Sequence, residues 1–391
     1  MRTNPTSYYE LLSFGLGSDP KAWQTFVDKF NLKYNKLEVD GFSWDNEIQL
    51  DYTYEQLQTS LGIATLPIYV DAESEALDKK LGGFTIGSNK IPTQKHRYPI
   101  NTRILREKMI LAQKFGSSVL NADTKNAIME LLFESTDKLI MGNRNALTHQ
   151  RMRVVSTGQF VIGLDNNPRG IQGITFDFGI TATTALTSNN LWWTNASHVA
   201  ANEGSTSDPI EDMKKVIKAK RKAGWPTLHI EMAQDLLDDL FTHSKVLERI
   251  GLASNAAIDT TAAVILAANM DDATKLARIE RIVGARIIAR DSISRVEKFD
   301  TTTKNLVFDT VENFAKTNIA FVPDGELGTI KSVQQLVLDD PTARYAWFDG
   351  GRTLISQRYD AKVRAAYVES EGAWLTVPNV SQYMTYQVVT V

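Results

Sequence analysis

The sequence predicts an α+β protein that combines one long helix, an α/β block and further strands. Three observations predict this class. A helical pattern of apolar residues extends from about 124 to 153, helix and strand signals alternate between about 208 and 289, and strand signals continue towards the C-terminus. At 391 residues the chain is longer than one compact core usually grows, so we expect two or more cores, or one core with long extensions.

Composition excludes several classes of protein. Hydrophobic residues make up 43% and charged residues 23% of the chain, which is typical of folded domains. Cysteine is absent, so disulfides, thiolate nucleophiles and cysteine-ligated zinc are excluded. No stretch approaches the roughly 20 apolar residues that span a bilayer, and the start lacks the apolar core of a signal peptide, so we expect a soluble, intracellular protein. The net charge of -3 gives no overall attraction to nucleic acid.

Residues 1–60 are predicted to form an N-terminal arm. They are polar and rich in aromatic residues, with two short amphipathic pieces at 8–14 and 22–30. We expect this arm to need a partner surface.

Residues 61–105 are predicted to form an extended loop, a long hairpin that projects from the body. Strand composition occurs at 66–70 and at 97–105, and the polar segment between them contains turn signals at Gly82-Gly83 and Gly87-Ser88. An isolated hairpin is marginally stable in water, so the loop is expected to pack on another surface.

The longest helical pattern spans about 124–153 and opens at Asp123 or Thr124 as N-cap. Some 30 residues at 1.5 Å each give a rod of roughly 45 Å, which would act as a spine along one side of a domain. Strand-like segments follow at Val154-Val155, 159–164 and 171–178, so a hairpin or small sheet is expected after the spine.

The α/β block starts at Asp208, predicted as the N-cap of a helix that continues to Ala223. Gly224 is predicted to end that helix. Elements predicted beyond it are a strand at 227–232, helices at 233–247 and 271–282, and strands at 285–289, 319–322, 345–348, 363–368 and 386–389.

No motif for chemistry is found. The loop 82–90 lacks the Gly-Lys-Ser/Thr ending of a phosphate-binding loop, and the five histidines lack metal-ligand spacing. Gly-x-Ser-x-Gly and the dinucleotide fingerprint Gly-x-Gly-x-x-Gly after a strand are also missing. We therefore predict no catalytic, cofactor-binding or metal-binding residues, and no enzymatic activity.

One cluster of basic residues lies in the C-terminal half of the helix that starts at Asp208. One interpretation is a favourable helix dipole with solvated side chains, and the other is a contact patch for an acidic neighbour or for nucleic acid. The predicted patch consists of Lys214, Lys215, Lys218, Lys220, Arg221 and Lys222.

Three stretches resemble the major capsid proteins of tailed bacteriophages. They are the spine running into a small sheet (145–162), the capped helix with its glycine stop and following strand (208–232), and the Pro-Asp turn at 321–328 with a late Val-Pro-Asn before the final strand. The order of elements is similar to the Hong Kong 97-like fold, and most closely to the lambda-type major capsid protein E family. The resemblance covers most of residues 60–391.

The resemblance implies a shell built from many copies. It implies a peripheral domain at 106–225, an axial domain at 226–334 and a return to the peripheral domain at 335–391. Inter-subunit contacts of the extended loop would fall at Lys79, Lys80, Gly82, Gly83 and Phe84.

The partners implied are sister copies in hexamers and pentamers, a portal, scaffolding and decoration proteins, and weakly bound packaged DNA, with no cofactor and no membrane. The protein would reside in the virion after assembly in the host cytoplasm. Some relatives crosslink covalently, but nothing here identifies a partner residue, and crosslinking is not predicted.

Two alternatives remain open at this point. A bacterial nanocompartment shell, similar to the encapsulins, would share the fold and enclose a cargo enzyme instead of a genome. A hydrolase with its site in the α/β block belongs to a different class, and would be recognised as compact monomers that turn over a substrate.

Overall fold

The structure is a computed structural model. It describes residues 21–34, 39–51, 53–59, 84–101, 122–178, 208–225, 227–254, 258–337, 343–360, 365–378 and 384–387.

The described residues form both helices and strands. The helices are α1 (Ala22–Tyr34), α2 (Ala122–Thr157), α3 (Pro209–Lys222), α4 (Gln234–Thr242), α5 (Ser244–Ser254), α6 (Thr260–Ala268) and α7 (Asp272–Val283). The strands are β1 (Phe42–Trp44), β2 (Thr53–Thr59), β3 (Phe84–Lys90), β4 (Thr93–Asn101), β5 (Gln159–Ile162), β6 (Ile174–Asp177), β7 (Leu228–Ala233), β8 (Arg286–Arg290), β9 (Ile293–Phe299), β10 (Leu306–Glu312), β11 (Asn318–Pro323), β12 (Gly328–Val333), β13 (Arg344–Phe348), β14 (Thr353–Asp360), β15 (Ala365–Pro378) and β16 (Met384–Gln387). The predicted α+β class is confirmed.

The chain divides into two compact units. Unit 1 comprises residues 1–54, 89–147 and 329–376, and unit 2 comprises 55–88, 148–328 and 377–391. The peripheral and axial boundaries predicted from the sequence remain predictions.

Unit 1 is built on a six-stranded sheet in the order β1-β12-β15-β14-β13, with β4 also paired to β15. The long strand β15 lies antiparallel to β14 on one side and to β4 on the other. Its side chains Ala373, Trp374 and Leu375 are fully buried. Trp374 also meets Trp44 edge to face, at 6.5 Å between ring centroids. This sheet therefore carries much of the core of unit 1.

The interpretation of 1–60 as an arm without a core of its own is wrong for α1. Trp23, Phe26, Val27 and Phe30 are buried within the chain's own unit 1, because their spacing places them on one face of the helix. The Trp23 Nε1 group donates to the Ile355 carbonyl oxygen at 3.0 Å. Residues 1–20 lie outside the described residues.

The hairpin predicted between 66–70 and 97–105 stays a prediction, although the structure shows a further partner for its second strand. Strand β4 starts at Thr93 and pairs antiparallel with β15 over its whole length, because its alternating pattern buries Ile100 in the sheet of unit 1. Strand β3 pairs with β2. Residues 66–70 lie outside the described residues.

The predicted spine is confirmed as α2, a helix of 36 residues and therefore roughly 54 Å long. It continues through Val154 and Val155, which were predicted as strand-like and are instead buried in its last turns. Two adjacent β-branched residues resemble a strand in sequence, but here they complete the apolar stripe of the helix. Gly158 follows with φ 73°, and the predicted small sheet forms from β5 and β6.

Unit 2 contains a four-stranded sheet in the order β16-β11-β7-β8. Strands β7 and β8 are parallel, and the helices between them in sequence form the crossover that parallel strands require. The alternation predicted for this block is confirmed, including Asp208 as N-cap of α3, where its side chain accepts from the Glu211 amide. Gly284 is the C-cap of α7.

Two differences from the prediction occur in unit 2. The helix predicted at 233–247 is two helices, α4 and α5, because His243 leaves the helical region with φ -68° and ψ 124°. Helix α6 and the strand pair β9–β10 were not predicted.

Candidate assembly surface

Strands β9 and β10 form an antiparallel ribbon of two strands. Phe299 lies opposite Leu306, and Phe308 lies opposite Glu297. Because residues opposite each other share a face, Phe299, Leu306 and Phe308 lie together on one side of the ribbon, towards its tip. We call this side the apolar face; Ile293 lies on it at the other end.

The apolar face is open to solvent in the isolated chain. Phe308 is 71% exposed, and Ile293, Phe299 and Leu306 each exceed 50%. On the opposite side, Val311 is buried and Val296 and Val307 are half-buried. One side of the ribbon is therefore partly covered by its own chain, whereas the described part of the chain leaves the larger apolar groups of the other side exposed.

The base of the ribbon is held by a polar junction with the end of α2. Asn313 follows β10, and its side chain meets His149 Nδ1 at 2.9 Å, Ser294 Oγ at 2.7 Å and Ser292 Oγ at 3.1 Å. The Arg153 guanidinium donates to the Glu312 carbonyl oxygen at 2.7 Å. These bonds fix where the ribbon leaves unit 2.

A second exposed apolar segment lies next to the ribbon. Arg169, in the turn between β5 and β6, forms an ion pair of 2.9 Å with Glu297 on the apolar face. Leu164 and Ile171 in the same turn are 66% and 71% exposed. The ribbon and this turn together present several uncovered apolar side chains.

The sheet of unit 2 is joined to the end of α2 by a buried charge cluster centred on Glu231. Both Glu231 oxygens accept from the Arg151 guanidinium at 2.5 Å, and Arg290 Nη2 donates at 2.8 Å. Burial alone would raise the pKa of Glu231, but the hydrogen bonds from Arg151 and His229 hold it far below its usual range. Glu231 is thus a buried carboxylate with two guanidinium partners.

His229 bridges two carboxylates at the edge of the same cluster. Its Nε2 atom lies 3.2 Å from Glu231, and its Nδ1 atom lies 2.7 Å from Asp324. Burial opposes the charged imidazole, yet the hydrogen bonds to Glu231 and Asp324 raise the pKa of His229. The contacts of His229 with the two carboxylates stabilise the fold fully below about pH 6.5, the pKa of histidine in the unfolded chain. This stabilisation is lost as the pH rises through the higher pKa that His229 has in the folded chain.

His149 behaves in the opposite way. Burial lowers the pKa of His149 to about 4, although its hydrogen bond to Asn313 opposes the shift. The Asn166 amide nitrogen lies 3.4 Å from His149 Nε2, which suits a neutral ring that donates from Nδ1 and accepts at Nε2. The fold therefore favours neutral His149, and the junction at the ribbon base is strongest above pH 6.5.

We predict that acid weakens this junction. Between pH 6.5 and pH 4.5 the protonation of His149 in the unfolded chain should cost roughly 2 kcal/mol of unfolding free energy. Urea unfolding at pH 7 and pH 4.5 measures this loss, and the His149→Gln variant should show a correspondingly smaller difference between the two pH values. Equal pH dependence in variant and parent would contradict the assignment.

The residues predicted as contacts of the extended loop fall at or before the start of β3. Lys79, Lys80, Gly82 and Gly83 lie outside the described residues, and Phe84 is the first residue of β3. Their role as inter-subunit contacts remains a prediction.

The predicted basic patch is split by the structure. Lys220 is buried, with its ammonium 4.3 Å from the centroid of the Trp225 ring, and desolvation lowers the pKa of Lys220. Arg221 donates to the Gly284 carbonyl oxygen at the end of α7. Lys220 is therefore a packing residue and not part of an exposed patch, which is a correction. Lys215, Lys218, Arg221 and Lys222 are exposed, and Lys214 is half-exposed.

Sites for small ligands are not evident in the part of the chain that the structure describes. No group of three or more His, Asp or Glu side chains there could hold a metal ion. Among these residues, no helix is both long and apolar enough to cross a membrane.

No protein-family model and no curated protein sequence matches this chain. Solved structures similar to it include a phage-related protein from Bordetella bronchiseptica, with a TM-score of 0.40, 12% identity, and coverage of 98% of this chain and 97% of that chain. The capsid of cyanophage A-1(L) has a TM-score of 0.43 and 12% identity, over 89% and 90% of the two chains. The mature capsid of bacteriophage PhiM1 has a TM-score of 0.39 and 9% identity, over 90% and 87%.

Sequence reasoning missed the ribbon, although a signal for it exists. Residues 293–299 and 306–312 contain β-branched and aromatic residues and flank Asp-Thr-Thr-Thr-Lys-Asn, whose Asp300 side chain accepts from the Thr302 amide at 2.8 Å. The apolar residues of these segments do not recur at every second position, so the period of two that marks a half-buried strand is missing.

Proposed function

We propose that the chain is a structural subunit that assembles with copies of itself into a closed shell. The observation that carries the proposal is the apolar face of the ribbon β9–β10, which the described part of its own chain leaves uncovered. A two-stranded ribbon is at best marginally stable in water, and large exposed apolar patches mark interaction surfaces.

A second copy is the occupant that best suits the apolar face. Unit 2 also exposes Ile265 and Leu266 on α6, at 59% and 42%, so each chain carries two different uncovered apolar surfaces. When unlike surfaces of identical chains meet, every copy can use both, and the contact repeats around a ring. Rings of this kind are the units from which a closed shell is built.

The finer proposal is a major capsid protein of a tailed bacteriophage with the Hong Kong 97-like fold. Support comes from the resemblance of three sequence stretches to that family, two of which fall at the end of α2 and at the N-cap of α3. In this proposal hexamers and pentamers form an icosahedral head that encloses double-stranded DNA. Portal, scaffolding and decoration proteins would be its partners, and the virion its location.

The extended loop contributes to the same proposal. Residues 61–105 would lie over a neighbouring subunit, and 226–334 would form the axial domain that meets its copies at the symmetry axes. Burial between subunits would then add stability to the loop beyond what the pairing of β4 with β15 supplies.

Electron microscopy and sedimentation of the purified chain test the proposal. Shells, tubes or rings are the expected result, and compact monomers at all concentrations would contradict it. The Phe308→Ser variant should remain folded, because Phe308 is exposed, but should assemble poorly. Losing the burial of one phenylalanine costs about 2 kcal/mol per contact, which raises the concentration needed for assembly about 30-fold.

Leu336→Ser is the matched control, since Leu336 is 81% exposed and lies outside the ribbon. It should assemble like the parent. If both variants assemble normally, the ribbon is not the contact. Nucleic acid extracted from recovered particles would support the phage head, whereas a protein cargo would favour the nanocompartment.

A further inference from the structure

Helix α3 carries a stripe of three exposed lysines on one side. Lys215, Lys218 and Lys222 are spaced by three and four residues, so at 100° per residue they fall within about 60° of one another. All three are exposed. At 1.5 Å per residue the stripe is about 10 Å long.

The charges of the stripe are poorly neutralised. Lys215 has one loose ion pair, 3.7 Å from Asp212 one turn earlier. Within the residues that the structure describes, Lys218 and Lys222 have no carboxylate within 4.0 Å. By contrast, Lys220 lies over Trp225 and Arg221 donates to the Gly284 carbonyl oxygen. Lys214, 3.9 Å from Glu211, is paired as loosely as Lys215.

From this geometry we infer that the lysine stripe binds the phosphate backbone of double-stranded nucleic acid, without reading its sequence. Lysine is a mobile point charge that suits phosphates, and it is depleted from protein interfaces, where arginine and aromatic residues dominate. The stripe also lacks an apolar anchor of the kind that interface hot spots need. A polyanion therefore fits the surface better than an acidic face of a protein.

The inference goes beyond shell assembly by naming a partner and its site. In the proposed function the stripe would let packaged DNA contact the shell weakly. Three lysines give low affinity and strong salt dependence, because each neutralised phosphate releases counterions. For three contacts the slope of log K against log salt is about -2.7, so affinity should fall about 40-fold between 50 and 200 mM salt.

Fluorescence anisotropy with a labelled 20-base-pair duplex and the full chain tests this, with sedimentation run in parallel to report the assembly state. Substituting Lys215, Lys218 and Lys222 with Gln should weaken binding at least tenfold at 50 mM salt and should remove about 2.7 from the salt slope. The control substitutes Lys29, Lys90 and Lys304, three exposed lysines elsewhere, with Gln, and should bind within twofold of the parent.

Three results would overturn the inference: no duplex binding by the parent at 50 mM salt, equal weakening in both variants, or an unchanged salt slope in the stripe variant. If the stripe variant loses assembly and keeps duplex binding, the stripe meets an acidic surface of a second copy instead. Shells without duplex binding overturn this inference alone. Monomers that bind the duplex through the stripe overturn only the proposed function.

Discussion

Replacing Arg151 with methionine is expected to lower the unfolding free energy of unit 2 by about 3–5 kcal/mol. Arg151 is 2% exposed and Glu231 is fully buried, and the two form a bidentate pair at 2.5 Å. Removing the guanidinium leaves a buried carboxylate with only Arg290 and His229 as partners. Methionine has a similar length, so the change in unfolding free energy comes from the lost charge more than from lost packing volume.

Hydrogen exchange of β7 measures this effect locally, since the two units need not unfold together. Arg169→Met is the control: its pair with Glu297 is half-exposed and should contribute less than 1 kcal/mol. The double variant Arg151→Met with Glu231→Gln should cost less than the sum of the two single variants, because they share one interaction. Additive costs would show that the pair is not coupled.

Replacing Trp23 with alanine is expected to cost about 3–5 kcal/mol in unit 1, even in unassembled subunits. Trp23 is fully buried, its ring stacks on Phe26 at 5.3 Å between centroids, and its Nε1 group is bonded to Ile355. The variant leaves a cavity and removes the hydrogen bond to the Ile355 carbonyl oxygen on β14. Gln24 adds two bonds to the Trp347 backbone, so the helix is joined to the sheet by polar contacts as well.

Leu32→Ala is the control on the same helix, because Leu32 is 86% exposed. In urea unfolding of dilute, unassembled protein, the unfolding free energies of the two variants should differ by several kcal/mol. Similar stabilities would mean that α1 is ordered only against a neighbouring copy, in line with the partner surface predicted for residues 1–60.

Elements with strong local signals were predictable from the sequence. The spine α2 follows from its sustained apolar stripe, and α3 and α7 follow from their aspartate caps and glycine stops. These signals act over three or four residues and do not depend on the rest of the fold.

The sequence predictions were wrong where contacts between distant parts of the chain determine the structure. Nothing in the local sequence shows that Trp23 meets a strand 332 residues away, or that β4 pairs with β15. The break at His243 was missed because the apolar pattern continues through α4 into α5. Lys220 was assigned to the basic patch because the sequence shows its charge. The sequence does not show its contact with the Trp225 ring.

The candidate site was the least predictable part. The ribbon became evident only from its pairing, which collects Phe299, Leu306 and Phe308 on one face. The Glu231 cluster joins Arg151 from a helix with Arg290 from another strand, and such long-range charge pairs leave no local pattern.

The most direct test uses the absence of cysteine, which makes any introduced thiol unique. Thr310→Cys places a thiol on the apolar face next to Phe308, and Lys298→Cys places one on the opposite face of the same ribbon. Alkylation rates compared between assembled particles and free subunits should fall at least tenfold for Thr310→Cys and stay within twofold for Lys298→Cys. Equal rates for Thr310→Cys in particles and in subunits would contradict the claim that a sister copy covers the apolar face.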